Sequence, residues 1–289
     1  MPLIEPIIRP PSEAGSLLLQ VTTGCSANTC TFCGAYKVKK YSEIMTEIIL
    51  GDVDEYARVY PNARKLFLLD GDALAIPQNN LITILDHINK KLPQINRISS
   101  YTNDFSIVSR TNVELAALRK RRLRVVYMGL ETGSQELLSR CKKKSTVTGM
   151  ISSIEKLKNA GISTDIMVLL GLGGKEKSKE HIIETAHTLN AMQPEFLAFL
   201  SLMLIPGTPL ARDAENGRFQ ELSPAELLFE LHEIITQLDL KRTYVRATHA
   251  SNYLPIEGRL PHDKDRILST IQAAMRGEIS LKPEFFRGL

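Results

Sequence analysis

Tryptophan is absent from this 289-residue chain, and only four cysteines are present, three of them within nine residues of one another. A secreted disulfide framework spreads paired cysteines along a shorter chain, so that class is excluded. No apolar run approaches the roughly 18 residues that a membrane-spanning helix requires. The opening MPLIEPIIRPPSEAGS lacks the basic-then-apolar layout of a secretory leader, and a cytoplasmic protein with no membrane partner is expected. Neither charge sign dominates: 36 Lys and Arg against 32 Asp and Glu leave +4, weak ground for a polyanionic partner, so nucleic acid is not expected. Low-complexity tracts, heptads and strong repeats are also missing, and 43% hydrophobic residues exclude overall disorder.

One denser basic run, Arg119, Lys120, Arg121, Arg122 and Arg124, reads most simply as a solvated helix end before a strand, with a phosphate contact as the alternative. Short apolar, β-branched runs at 17–21, 65–69, 97–101, 123–130, 163–170 and 195–204 alternate with helical spacing at 42–60, 79–92, 112–121, 148–159 and 178–192. Strands separated by helices imply parallel βαβ units. Almost every strand run ends in small or polar residues, at the carboxyl ends where such folds bind ligands. The expected fold is α/β, a partial (βα)6 barrel, because the strand signal fades after Pro206. A helix over 224–240, an irregular stretch and a helix near 263–276 follow, with Ser223, Pro224 and Glu226 as a cap. The expected division is a lead-in over 1–15, the barrel over 16–210, and a mainly helical extension over 211–289 that closes the barrel and sets specificity.

Cys25-Ser-Ala-Asn-Thr-Cys30-Thr-Phe-Cys33 follows the first strand. Structural zinc normally needs four N/S ligands, and no second CxxC or nearby His pair exists. A plant-type [2Fe–2S] ferredoxin opens with the same spacing but needs a fourth cysteine, and Cys141 lies more than a hundred residues on. Free thiols are a third reading, and a buried small hydrophobe is the expectation for Cys141. The fourth reading is a [4Fe–4S] cluster held by Cys25, Cys30 and Cys33 with one iron open, which is what catalysis asks of a metal.

Here the chain resembles the radical S-adenosylmethionine (SAM) superfamily, whose usual signature is C-x3-C-x-aromatic-C in the loop after the first barrel strand. Phe32 occupies the aromatic position, and one additional residue separates the first two cysteines. Asp70-Gly71-Asp72 stands where the superfamily has a Gly-Gly-Glu-like turn that binds the methionine amino group; Gly71 matches, and Asp72 departs from the glutamate. Met128-Gly-Leu-Glu131-Thr-Gly-Ser134 resembles a motif of the branch with oxygen-independent coproporphyrinogen oxidases, methylthiotransferases and the Elongator catalytic subunit. Gly171 and its neighbours, and Leu204-Ile-Pro-Gly-Thr-Pro209, resemble that branch's fifth and sixth strand ends. The resemblance thus implies SAM contacts from Phe32, Gly71, Asp72, Glu131 and Gly171. Tyr101 and Asn103 are candidates for its ribose or carboxylate, with ordinary strand-end polar residues as the alternative.

The chemistry so implied begins with SAM on the open iron and an electron from a reduced flavodoxin or ferredoxin. Reductive cleavage gives a 5′-deoxyadenosyl radical that abstracts hydrogen from a small or medium-sized metabolite, under anaerobic conditions. Cys141 alone cannot hold an auxiliary cluster. Substrate contacts are expected from the polar stretch around His249, Asn252 and Tyr253, with His249 and Arg246 as catalytic candidates and an ordered surface tail as the alternative. Two other functional readings stay open: a non-catalytic iron–sulfur electron carrier or scaffold, and a radical SAM methyltransferase.

Overall fold

The computed structural model describes residues 3–288. The chain divides into two compact units: the first runs to Asn28 and takes in Ala35–Met128 and Ser152–Thr164, and the second comprises Thr29–Gly34, Gly129–Ile151 and the chain from Asp165.

In the first unit, β1 (Leu17–Gln20) leads to a short antiparallel pair, β2 (Thr22–Thr23) with β3 (Ser42–Glu43), and then to α1 (Thr46–Val59). Next come β4 (Lys65–Leu69), α2 (Gln78–Lys91), β5 (Arg97–Tyr101), α3 (Asp104–Val108), α4 (Asn112–Lys120) and β6 (Leu123–Glu131), which runs on into the second unit. Strand β4 pairs in parallel with both β1 and β5, and β5 in parallel with β6. The residues explain the arrangement. Strand β4 is buried over Leu66–Leu69, as a parallel strand covered on both faces must be. Leu81, Ile84, Leu85 and Ile88 form the inward stripe of α2 at helical spacing. A reciprocal capping box, Thr111 with Glu114, starts α4.

The second unit holds α5 (Gln135–Arg140), the start of α6 (Val147–Asn159), and most of β7 (Ser163–Leu170). It continues with α7 (Gly174–Met192), β8 (Phe196–Ser201), α8 (Pro209–Glu215), α9 (Pro224–Gln237), β9 (Tyr244–Arg246), β10 (Glu257–Arg259) and α10 (Lys264–Met275). Strands β7, β8 and β9 are parallel neighbours, and β10 closes antiparallel on β9. The Ser223 cap with Pro224 at the first helical position and Glu226 in a capping box starts α9 as the sequence indicates.

The six strand runs read from sequence are all strands here. Strands β9 and β10 extend the sheet within a stretch expected to be irregular, because three residues each are too few for an alternating pattern to register. The basic run is structural at its ordered points. Arg119 donates to the Gly161 carbonyl (2.6 Å), Arg121 pairs with Asp86 (2.8 Å), and Arg122 donates to the carbonyls of Pro93 and Ile95. No helix among the described residues is long and apolar enough to cross a membrane.

Candidate active site

In the first unit the turn after β4 encloses Cys25. The backbone N–H of Gly24 donates to Asp70 Oδ2 (3.0 Å), and that of Gly71 donates to the Gly24 carbonyl (3.0 Å). A Cβ on Gly71 would lie 2.8 Å from Cys25 Cβ, so glycine is required by close approach. Asp70 is fully buried and paired with buried Lys39 (2.7 Å), which offsets the cost of hiding the charge.

Asp72, two residues on, is also fully buried. Its Oδ2 accepts from Ser26 Oγ (2.5 Å), Ser106 Oγ (2.8 Å) and Asn103 Nδ2 (3.0 Å), and its Oδ1 from Thr102 Oγ1 and the Asn103 N–H (both 3.3 Å). Burial pushes the carboxyl's pKa up, and the donors from Ser26, Asn103 and Ser106 oppose it. Asn103 Nδ2 also reaches Ser26 Oγ (3.1 Å) and Cys25 Sγ (3.9 Å). Nearby, the Tyr41 hydroxyl is buried with no hydrogen-bond partner. Burial first, then the charges of Glu43, Asp72 and Cys25, push its pKa up to about 12. Tyr101 stacks edge-on against Phe67 and Tyr127 (5.2 and 5.9 Å), in the aromatic core beside this group.

In the second unit the segment carrying Cys30 and Cys33 is tied to the chain after α5. Thr31 N–H donates to the Cys141 carbonyl (2.9 Å) and Thr29 Oγ1 to that of Lys142 (2.7 Å), while Leu210 N–H donates to the Thr31 carbonyl (3.1 Å). Phe32 packs against Leu202, Leu210 and Phe219. Cys141 itself is buried, and burial pushes its thiol up to about 11. The four residues Glu131–Ser134 are built into their surroundings one by one. Glu131, at φ 63°, folds its carboxylate back to Lys143 (3.3 Å), over a Gly129 that has no room for a Cβ. Thr132 Oγ1 meets His181 Nδ1 (2.9 Å), Gly133 N–H donates to Thr185 Oγ1 (2.9 Å), and Ser134 Oγ donates to Glu180 (2.5 Å).

Gly171, at φ 82°, ends β7, and its N–H donates to Oε1 of the fully buried Glu230 of α9 (2.6 Å), whose Oε2 accepts from Ser178 (2.5 Å). His181 Nε2 lies 3.5 Å from the same carboxylate. Burial lowers the His181 pKa and outweighs the opposing charge of Glu230, so the ring is neutral when folded. The unfolded chain therefore binds a proton that the native state refuses as pH falls below the ordinary histidine value of about 6.5. Wild-type stability should fall by up to about 1.4 kcal/mol per pH unit more steeply in that window than that of His181→Gln. Urea unfolding of both proteins between pH 7 and 5 checks this, and parallel curves would assign the proton elsewhere.

The candidate substrate residues divide. Asn252 is buried at the carboxyl end of β8, accepting from Ser201 Oγ (2.9 Å) and donating to the Phe199 carbonyl (2.7 Å), with Ser251 Oγ accepting from the Ser201 N–H (3.1 Å). His249 Nδ1 takes the Ser251 N–H (3.1 Å), which leaves Nε2 for another partner. Tyr253 turns to Glu284 and lies under the Arg287 guanidinium. Arg246 is not brought to the strand ends. It pairs with Ala198 in register, over the amino half of β8, and its guanidinium is taken by buried Asp165 near the start of β7. Sequence reasoning gave Asp70 no role of its own and missed Tyr41, Lys143, His181 and Glu230; nothing in local spacing marks them, because folding rather than sequence neighbourhood sets the surroundings of each.

The radical SAM superfamily model matches residues 19–189, more than half of the chain. The chain belongs to that superfamily and is a radical SAM enzyme, with the superfamily's α/β partial-barrel fold and its cofactors, a [4Fe–4S] cluster and SAM. It is 21% identical over 281 residues to the tRNA-2-methylthio-N(6)-dimethylallyladenosine synthase of Fusobacterium nucleatum subsp. nucleatum, covering 92% of this chain and 62% of that protein. The chain thus spans less than two thirds of this curated relative. The radical SAM methyltransferase TsrM of Kitasatospora setae, with cobalamin and a [4Fe–4S] cluster bound, aligns over 70% of this chain and 39% of its own (TM-score 0.57, 19% identity). Coproporphyrinogen III oxidase (HemN) of Escherichia coli aligns over 76% of this chain and 51% of its own (TM-score 0.56, 15% identity).

The residues suit these groups. Cys25, Cys30 and Cys33 are each part-exposed and in no disulfide, whereas Cys141 is buried. The unspent Tyr41 hydroxyl beside Cys25 and Asp72 is a donor that a polar ligand would satisfy. Among the described residues no three His, Cys, Asp or Glu side chains form a ready-made metal cage, so the fit rests on donor chemistry and spacing.

Proposed function

We propose that this radical SAM enzyme abstracts hydrogen from a small or medium-sized metabolite in the cytoplasm, taking its electron from a flavodoxin or ferredoxin rather than acting on nucleic acid. The observation that carries the reading is the division of the four thiols: three part-exposed in one short loop and one buried, so that no cysteine remains for an auxiliary cluster. In this reading residues 16–210 form the catalytic barrel after the 1–15 lead-in, and residues 211–289 supply specificity.

Cys25, Cys30 and Cys33 would hold the cluster, and the two groups together would supply one-electron cleavage of SAM and a hydrogen-abstracting carbon centre. The chain's own residues bind, orient and shield. Gly71 presents backbone where no side chain fits, and Tyr41 offers a hydroxyl donor. Phe32, Tyr101 and Gly171 are proposed as walls of the SAM pocket. Glu131 and Lys143 bring a balanced charge pair that can reorganise around a zwitterionic ligand without a net buried charge. His249 Nε2 is proposed as the substrate-facing hydrogen bonder, with Asn252 and Tyr253 fixing its loop and Arg246 bracing β9. Protein reconstituted with iron and sulfide without oxygen should release 5′-deoxyadenosine from SAM and dithionite, and extracts of a deletion strain should accumulate the substrate. Fully loaded protein that yields no nucleoside would leave an electron carrier or scaffold.

A further inference from the structure

Two buried carboxylates flank the first cysteine: Asp70 holds the backbone N–H of the residue before it, and Asp72 holds the hydroxyl of the residue after it. Asp72 accepts five hydrogen bonds, so both its oxygens are occupied by protein donors. This leaves the carboxylate little capacity to serve a ligand directly. Its role is to orient Asn103. The amide Nδ2 has two hydrogens and three acceptors in reach: Asp72 Oδ2 at 3.0 Å, Ser26 Oγ at 3.1 Å and Cys25 Sγ at 3.9 Å. With one hydrogen on Asp72, the other is shared between the serine oxygen and the sulfur.

We propose that Asn103 is a positioning residue for Cys25, held in place by Asp72, whose amide N–H donates to the Cys25 sulfur and tunes the electron density of that cluster ligand. The inference rests on the reading that Cys25 is a cluster ligand. A hydrogen bond to a ligating sulfur stabilises the more negative, reduced cluster and so raises its potential. Ser26 competes for the same hydrogen, which gives the proposal two opposite signs.

The test uses reconstituted wild type and variants, with cluster potential and EPR measured before SAM is added. Asn103→Leu, similar in shape but without a donor, should load iron like wild type, shift the potential negative and alter the reduced-cluster EPR signal. Ser26→Ala, which leaves the sulfur as the sole remaining acceptor, should shift the potential positive. Asp72→Ala should resemble Asn103→Leu in potential and lose iron to a chelator several-fold faster than wild type. Loaded Asn103→Leu and Ser26→Ala proteins with wild-type potentials and spectra would overturn the proposal. If Asn103→Leu does not fold, the sign of the Ser26→Ala shift decides alone. A Cys25→Ala protein that keeps its iron would instead overturn the ligand reading on which the proposal depends.

Discussion

Replacing Cys25, Cys30 or Cys33 singly by alanine should lower the iron retained after anaerobic reconstitution at least about tenfold, whereas Cys141→Ala should keep about four irons per chain. The asymmetry follows from thiol chemistry. A thiolate, not a thiol, binds metal, and burial pushes Cys141 up to about 11, where it stays protonated at neutral pH. Its surroundings already use it as a packing residue, and the neighbouring Thr31 N–H bonds its carbonyl, which the substitution leaves intact. The three loop thiols are part-exposed. Iron and sulfide assays on gel-filtered protein measure the outcome. Iron lost with Cys141→Ala and kept with Cys25→Ala would favour the ferredoxin-like alternative.

Gly133→Ala should destabilise the protein by about 3 kcal/mol, at the upper end of the usual overpacking cost. An added Cβ would stand 2.1 Å from the Glu184 carbonyl oxygen and 2.5 Å from its carbon, and the obstacle is helix backbone that cannot rotate away. Relief requires moving α7, which also carries His181 and Glu180, the partners of Thr132 and Ser134. The change should therefore loosen the whole Glu131–Ser134 segment and weaken SAM binding together with stability. Gly15→Ala is the control, since nothing lies within 4 Å of a Cβ there, and it should stay within about 0.5 kcal/mol. Equilibrium unfolding in urea measures both. A Gly133→Ala protein as stable as wild type would mean that α7 yields without cost.

The alternation of strands and helices, the Ser223 cap and the cysteine spacing were legible in sequence because each is written locally. Strand β4 is a continuous buried run, α2 carries its own stripe, and three cysteines within nine residues need no folding to be recognised. The motif glycines were legible as positions but not as causes. In the structure neither Gly71 nor Gly133 has φ in the left-handed region, and both are needed because another part of the chain comes too close for a Cβ.

Asp72 and Arg246 were picked out in sequence by residue type and place alone, Asp72 in a strand-end turn and Arg246 in a polar tail. Asp72 is occupied by Ser26, Thr102, Asn103 and Ser106, and Arg246 by Asp165, eighty-one positions away. Whether a charged group faces a ligand or an internal partner depends on which distant residue is brought within about 3 Å, since an unpaired buried charge is too costly to leave. Local composition determined the class of fold and the kind of donor in the loop. Only the tertiary structure decided which polar groups were spent on holding Cys25, Gly171 and the Glu131–Ser134 segment, because satisfying buried donors and acceptors is a property of the packed chain and not of any stretch of it.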